Sequence, residues 1–227
     1  MNGYFNTLLF GIYPYLCLTV TVIGSLIRFD REQYSWKSDS SQLLRRHRLL
    51  IGSNMFHVGV LVIVGGHFAG FLAPHAWVSR MMTASQHQWI AMAGGGAAGI
   101  VAIIGLSMLI VRRLGDPRIR VNSRRSDITI VLVLWAQLAL GLATVPMSLQ
   151  HIDGAMFEQL SHYVQCIVTF QPDAAALVAG VPLVYRLHIL LGFTLFLVSP
   201  FTRMVHVWSG LGALAYMLRP YQIVRRR

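Results

Sequence analysis

The stretch Met55–Pro74, "MFHVGVLVIVGGHFAGFLAP", is apolar enough to lie in lipid, yet it carries two imidazoles, His57 and His67. About 20 predominantly apolar residues take an α-helix across a bilayer core. An ionisable side chain inside such a helix is costly and marks function by default. Two questions follow for the whole chain: whether this segment spans a membrane, and what its histidines face.

The composition supports a span. Of 227 residues, 55% are hydrophobic and only 12% are charged, too little charge for the surface of a soluble domain of this size. Five segments are long and apolar enough to cross, at residues 4–27, 50–72, 89–111, 128–149 and 181–207. Backbone groups in lipid must be paired within the spanning element, and the alternating pattern of a barrel is missing. The expected fold class is therefore all-α, an integral membrane bundle of five transmembrane helices forming one membrane domain over 1–227. The first apolar run has no basic residue ahead of it and exceeds a signal-peptide core, so it reads as a retained span. The two cysteines, Cys17 and Cys166, give no disulfide framework, and the lack of a C-x-x-C sequence removes c-type haem attachment.

The net charge of +11 would suggest nucleic acid in a soluble protein. Here the cations cluster between spans, so no nucleic acid partner is expected. Residues 28–49 hold Arg28, Arg31, Lys37, Arg45, Arg46 and Arg48; residues 112–125 hold Arg112, Arg113, Arg118, Arg120, Arg124 and Arg125. The connection 73–88 holds only Arg80, and the connection 150–180 holds neither Lys nor Arg. A basic tail, 208–227, carries Arg219, Arg225, Arg226 and Arg227. The positive-inside rule then puts the N-terminus outside and the C-terminus in the cytoplasm. The connection 150–180 is too mixed to span and reads as an amphipathic piece along the outer surface.

Of the nine histidines, His47, His75, His87, His151 and His162 fall in loops or at helix ends. The other four lie inside spans, His57 and His67 in the second, His188 and His206 in the fifth. The two spans run in opposite directions, so topology pairs His57 with His206 and His67 with His188. Neutral imidazole is a common metal ligand. Two imidazoles on facing helices suit the axial positions of a haem iron. Zinc would need further ligands at each level. The spacing fits poorly on straight helices: at 1.5 Å per residue the first two histidines are about 15 Å apart and the last two about 27 Å. A kink at Pro200 is one way to absorb the difference.

Gly65, Gly66 and Gly70 flank His67, and Gly94, Gly95, Gly96 and Gly99 punctuate the third span. They give room for a flat cofactor or serve ordinary small-residue packing. Arg203, one turn before His206, and Arg112 at the end of the third span are candidates for haem propionates, or cations that only set topology. The basic inner surface is a platform for partner subunits or for anionic membrane lipid.

These residues resemble the gamma subunit of bacterial membrane-bound respiratory nitrate reductase. The resemblance covers nearly the whole chain. It rests on "IYPY" (Ile12–Tyr15), Gly24 to Asp30, "QY-W" (Gln33–Trp36), "SSQ" (Ser40–Gln42), "SN-FH-G" (Ser53–Gly59), "GHF-G" (Gly66–Gly70), "AGG" (Ala93–Gly95), "RLH--LG" (Arg186–Gly192) and "SPF-R--H-WS" (Ser199–Ser209). The resemblance implies two haems b, the outer held by His67 and His188, the inner by His57 and His206. It implies oxidation of a quinol, menaquinol or ubiquinol, at the outer haem, beside Gly66 and His67. It implies electron delivery to an iron–sulfur beta subunit and a molybdenum-containing alpha subunit on the cytoplasmic face. The setting would be the bacterial cytoplasmic (inner) membrane, in anaerobic respiration or nitrate assimilation. One departure is His87, which stands where some members of the family carry a pocket lysine; it can hydrogen-bond a quinol oxygen and accept its proton. A di-haem anchor of another reductase or dehydrogenase is the competing redox reading, and a cofactor-free membrane scaffold is the competing reading from another class. A proton transporter lacks the acidic relay residues it would need in the spans.

Overall fold

The structure, a computed structural model, describes residues 3–31, 46–121 and 123–208. Lys37 and Arg45, and the tail beyond Trp208, lie outside the described residues. Five stretches are long and apolar enough to cross a membrane: Gly3–Arg31, Leu49–Leu72, Ala84–Gly115, Arg125–Ser148 and Leu183–Phe201. The first is α1 (Gly3–Thr7), one π-helical turn (Leu8–Ile12) and α2 (Tyr13–Arg31). There follow α3 (Arg46–Leu72), the short α4 (His75–Met81), α5 (Ala84–Gly115), the short α6 (Pro117–Val121), α7 (Arg125–Ser148), α8 (Ala155–Val168) and α9 (Leu183–Val198). Among the described residues there is no strand.

The third span starts earlier than its apolar run because a capping box begins the helix. The Thr83 hydroxyl accepts from the Gln86 amide at 3.2 Å, and the Gln86 side chain accepts from the Thr83 amide at 2.9 Å. His87, expected in a loop or at a helix end, therefore sits on the first turn of α5.

The spans pack side by side in the order α2, α9, α7, α5, α3. The α3–α5 contact is the most extensive, and glycines explain it. A Cβ on Gly59 would come within 2.7 Å of the Ala98 carbonyl oxygen, and one on Gly105 within 2.6 Å of the Phe56 nitrogen. Here small residues let two backbones touch, which is how helices associate where no hydrophobic effect drives them. Gly65, Gly66, Gly94 and Gly95 differ, since a Cβ on any of them would meet nothing within 4 Å. Packing accounts for the first set of glycines and not for the second.

The connection after α7 packs onto the ends of the spans. Its helix α8 is amphipathic, but its apolar face is core: Leu160, Tyr163, Cys166 and Ile167 are buried against Phe10, Ala174, Val178 and Tyr185. Its polar side chains close the ends of the spans. Gln165 donates to the Phe71 and Ala73 carbonyls at 3.0 and 3.2 Å, where α3 ends. Tyr163 donates to the Phe10 carbonyl in the π-helical turn at 3.0 Å, and burial pushes the pKa of its phenol up, so it stays a donor. The mixed composition that kept this segment from reading as a span is what lets it satisfy carbonyls that spans leave open.

The fifth span is shorter than expected. α9 ends at Val198 and gives way to two 3₁₀ turns, Ser199–Phe201 and Arg203–Val205, on either side of an extended Thr202. Pro200 has no N–H for the Phe196 carbonyl. That oxygen instead accepts from the hydroxyls of Thr21, at 2.7 Å, and Ser199, at 2.8 Å. The proline ring sits over Gly24, where a Cβ would come 3.0 Å from it.

Gly105→Val should force α3 off α5 and destabilise the bundle by about 2 kcal/mol, the cost of overpacking a tight contact. Gly95→Ala, on the open set, should leave stability within about 0.5 kcal/mol of the parent. Thermal unfolding in detergent micelles, followed by tryptophan fluorescence, checks both.

Candidate functional site

The four intraspan histidines come together as two pairs. The ring centres of His57 and His206 are 6.2 Å apart with planes at 66°, and those of His67 and His188 are also 6.2 Å apart, at 40°. Both pairs bridge α3 and the fifth span, which otherwise have almost no backbone packing on each other. The break after Val198 resolves the spacing mismatch. From His188 the helix rises about 15 Å to Val198, the distance that ten residues give between His57 and His67. The chain then leaves the helix axis, so the stretch from Ser199 to His206 does not add a further helical rise.

Arg28 holds that stretch. Its guanidinium donates to the carbonyls of Pro200 at 2.6 Å and Thr202 at 3.0 Å, which the interrupted helix would otherwise leave short of partners.

The imidazoles are oriented. His57 Nδ1 lies 2.7 Å from the Ser53 carbonyl and 3.2 Å from the Ser53 hydroxyl. His67 Nδ1 is 2.8 Å from the Ile63 carbonyl, and His206 Nδ1 is 2.5 Å from the Arg203 carbonyl. A carbonyl can only accept, so in each ring Nδ1 carries the proton and Nε2 keeps its lone pair for a ligand bond. His188 is held differently. Its ring lies against Gly141, where a Cβ would come 3.0 Å from Cε1, and the Gln137 side-chain amide lies 3.5 Å from its Nε2 and donates to its carbonyl at 3.2 Å.

These residues fit haem. An imidazole nitrogen bonds a transition metal at about 2 Å and lies about 1.1 Å from its ring centre, so two trans imidazoles place their centres about 6 Å apart. Among the described residues no group of three or more His, Cys, Asp or Glu could hold a metal ion. Each pair thus offers two ligands, and a macrocycle supplies four more. His57 and His67 are exposed along α3, as are Gly65 and Gly66 beside them, so among the described residues none covers this flank of the helix.

At the basic end, Arg113 pairs with Asp127 at 3.6 Å. Arg112 and Arg203 are near enough for their charges to bear on Arg113. Three guanidiniums thus gather where one carboxylate is paired, which suits an anionic group. Arg112 is buried and Arg203 half-buried.

At the other end, a cavity of about 770 Å³ opens between α4, α5 and α8, lined by Gly70, Thr83, His87, Phe157, Glu158 and Gln165 among others. Gly66 and His67 do not line it. An aromatic chain separates them from His87: His67 to Phe71 at 5.4 Å, Phe71 to Phe157 at 5.5 Å, and Phe157 to His87 at 4.7 Å between ring centres. Sequence reasoning missed Gln137, Gly141, Arg28 and Phe157. Gln137 carried a usable signal, a polar residue in the middle of "WAQLALG".

A helical membrane protein with paired histidines at two levels is the class that this fold and site define. Residues 6–227 match the family described as nitrate reductase gamma subunit, and the chain belongs to that family. It is accordingly a membrane subunit of an oxidoreductase complex. The respiratory nitrate reductase 2 gamma chain of Escherichia coli (strain K12) is 43% identical over 227 residues, covering 100% of both chains. The respiratory nitrate reductase 1 gamma chain of the same strain is 43% identical over 224 residues, covering 99% of each. The nitrate reductase gamma chain of Bacillus subtilis (strain 168) is 39% identical over 225 residues, covering 97% of this chain and 98% of that one.

Arg28→Ala should free the stretch 199–206 from α2. Distance distributions between spin labels at Ile23 and Val207 should broaden, while those between labels on α5 and α7 stay narrow.

Proposed function

We propose that the chain is the di-haem b, quinol-oxidising subunit of a respiratory nitrate reductase. It lies in the bacterial cytoplasmic membrane with its N-terminus outside and its C-terminus in the cytoplasm. The observation that carries this reading is the pair of imidazole couples with 6.2 Å between ring centres. His67 and His188 hold the outer haem, and His57 and His206 the inner. Haem, when bound, supplies a one-electron iron couple at each level of the membrane. The carbonyls of Ser53, Ile63 and Arg203 fix three of the ligand rings and raise their basicity. Arg112 and Arg203 balance propionate charge at the basic end.

The quinol, menaquinol or ubiquinol, enters the cavity at the outer end. His87 hydrogen-bonds its head group and accepts its proton, while Gly66 and His67 lie beyond Phe71 and Phe157, on the side toward the outer haem. Protons leave on the outer side, and electrons reach an iron–sulfur beta subunit and a molybdenum-containing alpha subunit on the cytoplasmic face. The E. coli relatives are named as respiratory enzymes, which favours anaerobic respiration over nitrate assimilation. The excess of arginine in the connections 28–49 and 112–125 supports the orientation.

The reduced-minus-oxidised spectrum of the purified chain should show two bis-histidine b haems, and a spectrum with none would overturn the proposal. His67→Ala should lose one haem and quinol oxidation and keep the other haem; His57→Ala should lose the opposite haem. Gly141→Leu, which drives a side chain into the His188 ring, should behave like His67→Ala. Retention of both haems in His67→Ala would refute the pairing.

A further inference from the structure

We infer that Glu158 and His75 form a proton exit from His87, carrying the proton that His87 takes from a quinol hydroxyl to the outer aqueous face. The inference rests on the quinol reading above and adds residues to it.

The backbone brings these groups together. Gly154 precedes α8 at φ 86°, and a Cβ there would come 2.5 Å from the carbonyl carbon of Ala84. Only glycine allows both that backbone conformation and that approach. It seats the first turn of α8 on the first turn of α5, so Glu158 and His87, each one turn further along, line the same cavity. Phe157 packs on the His87 ring at 4.7 Å and fixes it there. Glu158 is close enough for its charge to bear on His87. On its other side, a Glu158 oxygen lies 3.9 Å from His75 Nδ1.

Exposure rises along this route. His87 is half-buried; the side chain of Glu158 is 47% exposed and that of His75 69%. The other titratable group facing the cavity is His162, on the exposed side of α8. The spans around the histidine pairs offer no comparable carboxylate, Asp127 being at the opposite end.

The steps balance. A quinol O–H bond breaks and its proton binds the free imidazole nitrogen of His87; the electron would go to the one-electron acceptor that His67 and His188 would hold. The imidazolium passes its proton to the Glu158 carboxylate. The carboxylic acid passes it to His75 or to water, which restores both groups for the second hydroxyl. Glu158 and His75 line the same cavity and act on the proton after His87 has taken it.

The test uses the full chain in its complex. In Glu158→Gln a negative charge beside His87 is gone, so the midpoint of His87 titration, read by NMR on labelled histidine, should shift. Quinol oxidation should slow about tenfold, its acid limb should move down in pH, and added acetate should restore part of the rate. A hydroxyquinoline quinol analogue should still bind, since its head-group partner His87 is unchanged. Glu158→Asp should keep the His87 midpoint, and His75→Asn should slow proton release to the outer face without changing analogue binding. An unchanged midpoint and rate in Glu158→Gln, with the analogue still bound, would overturn the exit and leave the quinol site standing. Failure of the analogue to bind the parent, or equal binding to His87→Ala, would overturn the quinol site and the exit with it.

Discussion

In an apolar medium every backbone carbonyl needs a partner from within the protein, and the carbonyls around Pro200 are where this demand shapes the molecule most. A straight fifth helix would carry His206 past His57. Ending it at Val198 solves the geometry and leaves the carbonyls of Phe196, Pro200 and Thr202 outside the regular helical ladder. Thr21, Ser199 and Arg28 answer them. Each comes from a place the fold must supply: α2 contributes Thr21, Arg28 and the Gly24 gap beneath the proline. The first span, which carries no histidine, is thus what allows the fifth to present two.

The same division of labour runs through the glycines. Gly52, Gly59 and Gly105 lie at backbone contacts between α3 and α5, where a Cβ would collide. That contact fixes one flank of α3 and leaves the histidine flank open. Gly65, Gly66, Gly94 and Gly95 meet no neighbour, so packing does not explain them. Van der Waals approach is the main attraction between helices in lipid, and a span tightly held on one side can leave another side unfilled.

Much of this was legible in the sequence, because apolar length and cation clusters are local properties. The five spans and the antiparallel relation of the second and fifth follow from them. The break at Pro200 was legible only as an option, since a proline in a span can kink the helix or end it, and the partners that decide are far away in sequence. The contacts of α8 were not legible. Its Gln and Ser residues look like a water-facing surface, yet Gln165 and Ser161 point at the carbonyls ending α3, a tertiary use that composition does not encode. His87 looked like a loop residue because the capping box at Thr83 extends the helix through polar residues that a hydropathy window excludes.

The position of His87 also separates two kinds of traffic. Protons need hydrogen-bonding groups at contact distance, whereas electrons cross packed apolar matter. Between the cavity and His67 stand Phe71 and Phe157, which offer no proton acceptor; on the other side stand Glu158 and His75, which do. On the proposed quinol reading, the aromatic wall toward the histidine pair and the titratable groups on the other side of the cavity keep the two routes apart. Inward of the cavity stand Phe71 and Phe157, and beyond them the Nδ1 atoms of His57 and His67 are already committed to carbonyls. The histidines that suit metal ligation are for that reason poor proton relays, and the two functions call for different histidines on different helices.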